Sequence, residues 1–337
     1  MGVTIRDVAE EADVSATTVS RVFNHGHLVN QDTRNHVLEV ARRMGYAPNE
    51  TARSLSHGRT HSLGVLLPAP HGEFFSELIR GLDEVAQEAN HFLLIASSHY
   101  DPEEGASALA SLAGRVDGLV IMTPRVTART LLEGVDLDIP AVFVNSELGD
   151  ASFDLFSIEN RKGARQLVTH LIDVGHETIA AVTGPRASAD VEERMAGYRE
   201  ALSEHDLLEG PILEGAFTQE SGYEAGRQMT HWAELPDAVF AFNDYMAIGV
   251  MAALQEEGIR VPEDVAVAGF DDIEYARYAN PSLTTVRVPV YKIGRRAGER
   301  IIQRVESDEA PAPEAFSLAH EVKVRASTVP QKEVEHA

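Results

Sequence analysis

The sequence predicts an all-α helix-turn-helix headpiece joined to a larger α/β domain of two lobes built on parallel sheets. Three observations lead there. Within Val3 to Asn24, apolar residues recur at helical spacing on both sides of a tight turn. From Ser62 onward, short apolar runs alternate with longer amphipathic stretches, the pattern of strands and crossover helices. A chain of 337 residues is also too long for one hydrophobic core, so a small module and a larger body are expected.

In the first helix Ile5, Val8, Ala9 and Ala12 share a face. Thr4, followed three residues later by Asp7, has the form of a capping box, in which each side chain satisfies an orphan backbone donor. Asp13-Val14-Ser15 makes the turn. Ser15 caps a second helix with Val19, Val22 and Phe23 inward and Ala16, Thr17, Ser20 and Arg21 outward near its start. This is a helix-turn-helix with its reading face towards solvent, although two capped helices also occur in many other domains. A third helix is expected over Asn30 to Met44, with Val37, Leu38, Val40, Ala41 and Met44 as its apolar stripe and Gly45 as a left-handed cap.

T-I-R-D-V-A-E-E-A-D-V-S-A-T-T-V-S-R-V-F-N, and later T-R-N-H-V-L-E-V-A-R-R-M-G-Y-A-P-N-E-T-A-R-S-L, resemble the headpiece of the lactose-repressor/galactose-repressor family of bacterial transcription regulators. The match runs without a gap from Thr4 to Leu55. It implies a pseudo-palindromic double-stranded operator as partner, touched by Thr4, Arg6, Ser15, Ala16, Thr17, Ser20, Arg21, Asn24 and Thr33. Ala16 and Thr17 stand at the family's variable reading positions; both are small, suit thymine methyl groups, and leave the operator sequence poorly specified.

Pro48 to Gly58, P-N-E-T-A-R-S-L-S-H-G, reads as a hinge helix of about two turns capped by Asn49, too short to stand alone in water. In the family this helix pairs with its twin from the other subunit in the minor groove, where a leucine wedges between base pairs. Leu55 matches that leucine, and Asn49 and Ala52 are further expected contacts. A linker leucine resting on the next domain would look the same in sequence.

The net charge of -24 is unevenly spread: residues 1–62 hold seven basic and seven acidic side chains, so the rest carries all of it. An acidic body repels DNA except where the headpiece meets it, which discourages non-specific binding and makes affinity salt-dependent. A generally acidic proteome or a high-salt habitat would give the same balance. With no cysteine there is no disulfide framework, thiolate nucleophile or zinc-thiolate site. No opening basic segment leads into a long apolar run and no later run nears the roughly 20 apolar residues that span a bilayer, so a cytoplasmic, membrane-free protein is expected.

In the larger domain the apolar runs are Leu63 to Leu67, Phe92 to Ala96, Gly118 to Met122 and Ala141 to Val144, with helices at Glu73 to Asn90, Pro102 to Ala113 and Thr127 to Glu133. A second series has runs at Ile179 to Thr183, Ala238 to Phe242 and Val265 to Gly269, and helices near Gly163 to Val174, Val191 to Ser203, Ser221 to Trp232 and Tyr245 to Glu257. Thr284 to Val288, a helix over Ile293 to Val305 and a last run, Phe316 to Val324, complete it. Two such lobes imply a cleft beyond the carboxyl ends of their strands. The resemblance continues through S-G-Y, F-N-D-Y-M-A-I-G, V-P-E-D-V-A-V-A-G-F-D-D and P-S-L-T-T-V, and implies a periplasmic-binding-protein-like fold. The expected division is a headpiece over 1–47, a hinge over 48–60, a two-lobed effector-binding and dimerisation domain over 61–330, and a tail over 331–337.

No phosphate-binding G-x-x-x-x-G-K-[ST] loop, G-x-S-x-G elbow or H-E-x-x-H pair is present, and Asp271-Asp272 lacks the spaced partners a metal needs, so no catalysis, cofactor or metal is expected. His170 and His176 read as structural or surface residues. Arg194, Asn243 and Asp271 match ligand-contacting positions of the family; as fork, amide and carboxylate they suit adjacent sugar hydroxyls. Phe74, Phe75 and Phe217 match apolar or aromatic ligand-facing positions that would cover a sugar's C–H face, and Asn145 ends a strand of the first lobe near them. Ser157-Ile158-Glu159-Asn160 departs from the family's aspartate-asparagine pair, and Glu159 is assigned no binding role. The expected protein is therefore a ligand-responsive repressor of carbohydrate-related genes, with a sugar or sugar derivative as effector. A nucleobase, a nucleoside or a phosphoprotein corepressor is the alternative; outside regulation, an exported sugar-binding protein shares the fold. A homodimer is expected, since Q-K-E-V-E-H-A after Pro330 has no leucine heptads for a four-stranded coiled coil.

Overall fold

The computed structural model describes residues 3–24, 26–46, 59–69, 72–124, 127–133, 135, 137–149, 152–186, 188–307 and 312–329. Contacts divide the chain into two units, Met1–His61 and Ser62–Ala337.

The first unit is helical. Thr4 Oγ1 accepts from the Asp7 N–H at 3.4 Å, and Asp7 Oδ2 accepts from the Thr4 N–H at 2.7 Å, closing the capping box ahead of the helix Ile5–Glu11. Asp13 turns the chain with φ of 50°. Ser15 Oγ then takes the Thr18 N–H at 3.0 Å and starts the helix Ala16–Asn24. After a 3₁₀ turn over Gly26–Leu28, Asn30 caps the helix Gln31–Met44, which Gly45 ends at φ of 68°. Val8, Ala12, Val19, Val22, Val37, Val40 and Ala41 form the buried core, with Phe23 edge-on to Tyr46 at 5.7 Å beside it. Leu38 departs from the expected stripe and is 38% exposed. At 100° per residue it falls past the edge of the face that Val37, Val40, Ala41 and Met44 share. Ala16, expected outward, is half-buried and packs against this core.

The second unit holds two six-stranded sheets. One has the order β11-β5-β4-β3-β1-β2, with β1 Ser62–Leu67, β2 Phe92–Ser97, β3 Gly118–Ile121, β4 Ala141–Val144, β5 Asp154–Ile158 and β11 Ala315–Leu318. The other has the order β12-β10-β9-β8-β6-β7, with β6 Ile179–Thr183, β7 Ile212–Glu214, β8 Ala238–Ala241, β9 Ala266–Asp271, β10 Thr284–Arg287 and β12 Glu321–Lys323. Every pairing is parallel except β10 with β12, which is antiparallel. The near-continuous burial of β1, β3, β4, β6 and β8 follows from helices packed on both faces.

The chain crosses between the sheets after β5, after β10 and between β11 and β12. The expected single run Phe316 to Val324 is therefore two strands: Ala315–Leu318 pairs with β5 in one sheet and Glu321–Lys323 with β10 in the other. One extended segment serves both lobes because its hydrogen-bonding partner changes between Leu318 and Glu321. β5 and the three-residue β7 were not expected from the pattern. A buried ion cluster ties the start of β5 to the helix Val290–Glu306: Asp154, fully buried, accepts from Arg304 and, at 3.0 Å, from Arg300. No helix among the described residues is long and apolar enough to cross a membrane.

Candidate functional site

Strand ends of the two lobes bound a cavity of about 440 Å³, within the usual range for small-molecule sites. Its walls are aromatic: Phe74 and Phe75 open the helix Glu73–Glu88 and meet edge-to-face at 5.3 Å, and Phe217 and Tyr245 line the cavity from the second lobe. Its polar lining includes Arg194, Asn243, Asp271 and Asp190. Phe217, Asp271 and Asn145 have φ of 60°, 108° and 44°, left-handed backbone that side chains seldom adopt and that is common where a binding site holds the chain against its preference.

Asn243 follows β8 and caps the helix Asp244–Glu256: its Oδ1 accepts from the Met246 N–H at 2.9 Å while its Nδ2 donates to the Phe217 carbonyl at 2.9 Å. It thus fixes the turn that aims Phe217 into the cavity. Arg194 is 4% exposed and lies over the Phe270 ring at 3.8 Å. Each of its three nitrogens already donates to the protein: Nε to Asn160 Oδ1 at 2.9 Å, Nη1 to the Phe242 carbonyl, and Nη2 to Asp271 Oδ1 at 3.4 Å. The fork expected to grip a ligand is largely spent on ordering the cleft.

Burial pushes the Asp271 carboxyl up to about 7, against the pull of Arg194 and with a further push from Asp190. Asp244 beneath it is fully buried, accepting from the Thr285 hydroxyl at 2.5 Å and the Ile273 N–H at 2.9 Å. Burial, and then the charge of Asp271, raise its pKa well above the carboxylate range. Asp272 points elsewhere, paired with Arg287 at 2.6 Å and Arg325 at 2.5 Å.

Phe74, Phe75, Arg194, Phe217, Asn243 and Asp271 therefore line one cavity, whereas Asn145 is not among its lining residues. The Asn145 amide instead donates to Asp190 Oδ1 at 2.7 Å, tying the end of β4 in one lobe to the first turn of the helix Ala189–Glu204 in the other. Asn160 donates to the same oxygen at 2.8 Å. The sequence reading missed Asp190, Asn160 and Tyr245. Asp190 stands four residues before Arg194, on the same helix face, and that spacing was the available signal. Glu159 faces away from the cavity, paired with His320 at 3.1 Å.

On the headpiece, Arg6, Ser15, Thr17 and Arg21 are exposed, Ser20 and Thr33 half-buried. The Thr4 and Ser15 hydroxyls serve their helix caps. The Asn24 side chain, Asn49, Ala52 and Leu55 lie outside the described residues.

Residues 4–49 match the lacI family of bacterial regulatory proteins, and residues 168–328 match a periplasmic binding protein-like domain. The HTH-type transcriptional repressor PurR of Vibrio campbellii is 35% identical over 327 residues, 96% of this chain and 97% of that protein. The chain belongs to the lacI family of bacterial regulatory proteins. It is a DNA-binding transcriptional repressor and not an enzyme. Among solved lacI-family structures, a Lac repressor dimer bound to operator and the anti-inducer ONPF superposes with a TM-score of 0.86 at 27% identity, covering 97% of this chain and 99% of that one. A transcriptional regulator CelR-cellobiose complex gives 0.71 at 29%, covering 96% and 99%.

Proposed function

We propose that this repressor is switched by a small molecule, a sugar or sugar derivative, held between the lobes of residues 61–330, while residues 1–47 read the operator and residues 48–60 form the hinge. The observation that carries the reading is the cavity of about 440 Å³: aromatic side chains offer apolar faces to a ring's C–H side, and Asp190, Asn243 and Asp271 offer polar atoms to its hydroxyls. The cellobiose in the CelR structure speaks for this class. A nucleobase or nucleoside is the second reading, favoured by the same walls, since Phe74, Phe75 and Phe217 present rings on which a flat base stacks. The PurR relative, at 35% identity, favours this second reading, and the cellobiose complex, at 29%, speaks for the first.

In this reading Thr17 and Arg21 meet base edges, and Leu55 with its twin opens a base step. Two copies are needed to bring two hinges to one site. The Lac repressor dimer on its operator speaks for such a pair, and Phe92, Leu94 and Ile95 on the edge strand β2, 74%, 38% and 44% exposed, offer apolar area for the pairing. A thermal-shift screen of sugars and nucleobases, repeated with operator DNA, tests the switch. The reading holds if one compound both stabilises the chain and changes its operator affinity, and falls if none does.

A further inference from the structure

The chemistry of the cleft narrows the effector beyond its class. Among the described residues, the charged side chains lining the cavity are two carboxylates, Asp190 and Asp271, and one guanidinium, Arg194. The guanidinium is turned inward, with Asn160, the Phe242 carbonyl and Asp271 taking a hydrogen from each nitrogen. It does not stand as an open bidentate fork, the arrangement in which an arginine holds a phosphate or carboxylate by two parallel bonds.

The carboxylates differ. Asp190 is clamped through one oxygen only: Oδ1 receives the amide N–H groups of Asn145 at 2.7 Å and Asn160 at 2.8 Å. Its Oδ2 receives no donor from the described residues, and neither does Oδ2 of Asp271, whose Oδ1 receives Arg194. A carboxylate accepts about four hydrogen bonds and donates none when ionised. Asn243 is held by Phe217 and Met246, while the Gln219 amide and the Ser188 hydroxyl also line the cavity. At Asp190 what is left unmet is acceptance.

We infer that Asp190 is a specificity-determining residue: its free Oδ2 selects an uncharged effector rich in hydroxyl or N–H donors and rejects the phosphate ester or acid of the same molecule. This rests on the effector reading above and deepens it. The clamp fixes the geometry, because two amides from different elements hold Asp190 and an incoming donor finds Oδ2 already placed. The same clamp carries a consequence for closure. Asn145 belongs to one lobe and Asp190 to the other, so a ligand that bonds Asp190 is bound to the residue through which the lobes are tied. An anion placed there meets a carboxylate without a free cation to offset it, and like-charge contact in a desolvated site is costly.

The test uses the full chain and matched pairs: ribose with ribose 5-phosphate, glucose with glucuronate and with glucose 6-phosphate, and adenosine with adenosine monophosphate, each by calorimetry and by operator-binding shift. The expected result is that each neutral compound that binds does so about tenfold or more tightly than its anionic partner. Asp190→Asn keeps an oxygen for the two amides and turns an NH₂ into the cavity; it should weaken the uncharged ligand about tenfold and narrow the gap to its anion. Binding of an anionic partner as tightly as the neutral one overturns the inference while leaving a small-molecule switch intact. So does an Asp190→Asn chain that folds with wild-type Tm and an unchanged ratio. If that variant fails to fold, the wild-type pairs still decide. If no compound of either charge binds or shifts operator affinity, the effector reading itself falls, and the inference with it.

Discussion

Asp271 holds a proton in the folded chain over a range where an unfolded aspartate has lost it: burial lifts its pKa to about 7, against about 4 in an open peptide. Between those values the native state binds more protons than the unfolded state, so this group makes stability fall as pH rises from about 4 to 7 and level off above. Asp271→Asn, with nothing to titrate, should lose that fall; its Tm relative to wild type should climb between about pH 5 and pH 7.5, and a constant difference would place the carboxyl at an ordinary pKa. On the headpiece, Arg21 is exposed one turn beyond Thr17. A bidentate arginine–guanine pair gives about 1 to 3 kcal/mol of discrimination, so Arg21→Ala should weaken operator binding roughly tenfold or more and change random-sequence binding little. Equal losses on both DNAs would make Arg21 a phosphate contact. Side-chain type was legible in the cleft and side-chain role was not: Arg194 and Asn243 stand at the cavity, yet each is committed largely to protein partners that only the fold brings near.

At the scale of elements, the helices that flank the sheets meet at glycines. A Cβ on Gly294 would lie 2.3 Å from the Leu78 carbonyl oxygen, and one on Gly81 the same distance from that of Tyr291, so the helices Glu73–Glu88 and Val290–Glu306 touch backbone to backbone. Gly294→Val must push this pair apart, and overpacking of this kind costs about 1 to 3 kcal/mol or more. Urea unfolding should show the midpoint lowered; an unchanged midpoint would mean that the helices slide freely. This contact joins segments more than two hundred residues apart, and nothing local announces it. Caps are different: Thr4 with Asp7, Ser15 and Asn30 act on backbone groups within three residues, which is why the headpiece helices could be placed from sequence. The last run misled for the opposite reason, since an extended segment shows its apolar pattern but not which sheet each half will join.

Across the whole molecule, the proposed switch runs from a cleft within residues 61–330 to a DNA-reading face by way of the hinge. If Leu55 wedges a base step, Leu55→Ala should reduce operator bending and operator affinity and leave effector binding to the free protein unchanged; equal bending by wild type and variant in a circular-permutation gel would remove the wedge. Coupling between two sites is reciprocal in free energy and amounts typically to about 1 to 3 kcal/mol, or roughly 5- to 150-fold. The most direct test is therefore a closed cycle on the full-length dimer: operator Kd with and without saturating effector, and effector Kd with and without saturating operator. The two ratios are expected to be equal and to differ from one by about fivefold or more. An effector Kd that is the same with and without operator would contradict the coupling.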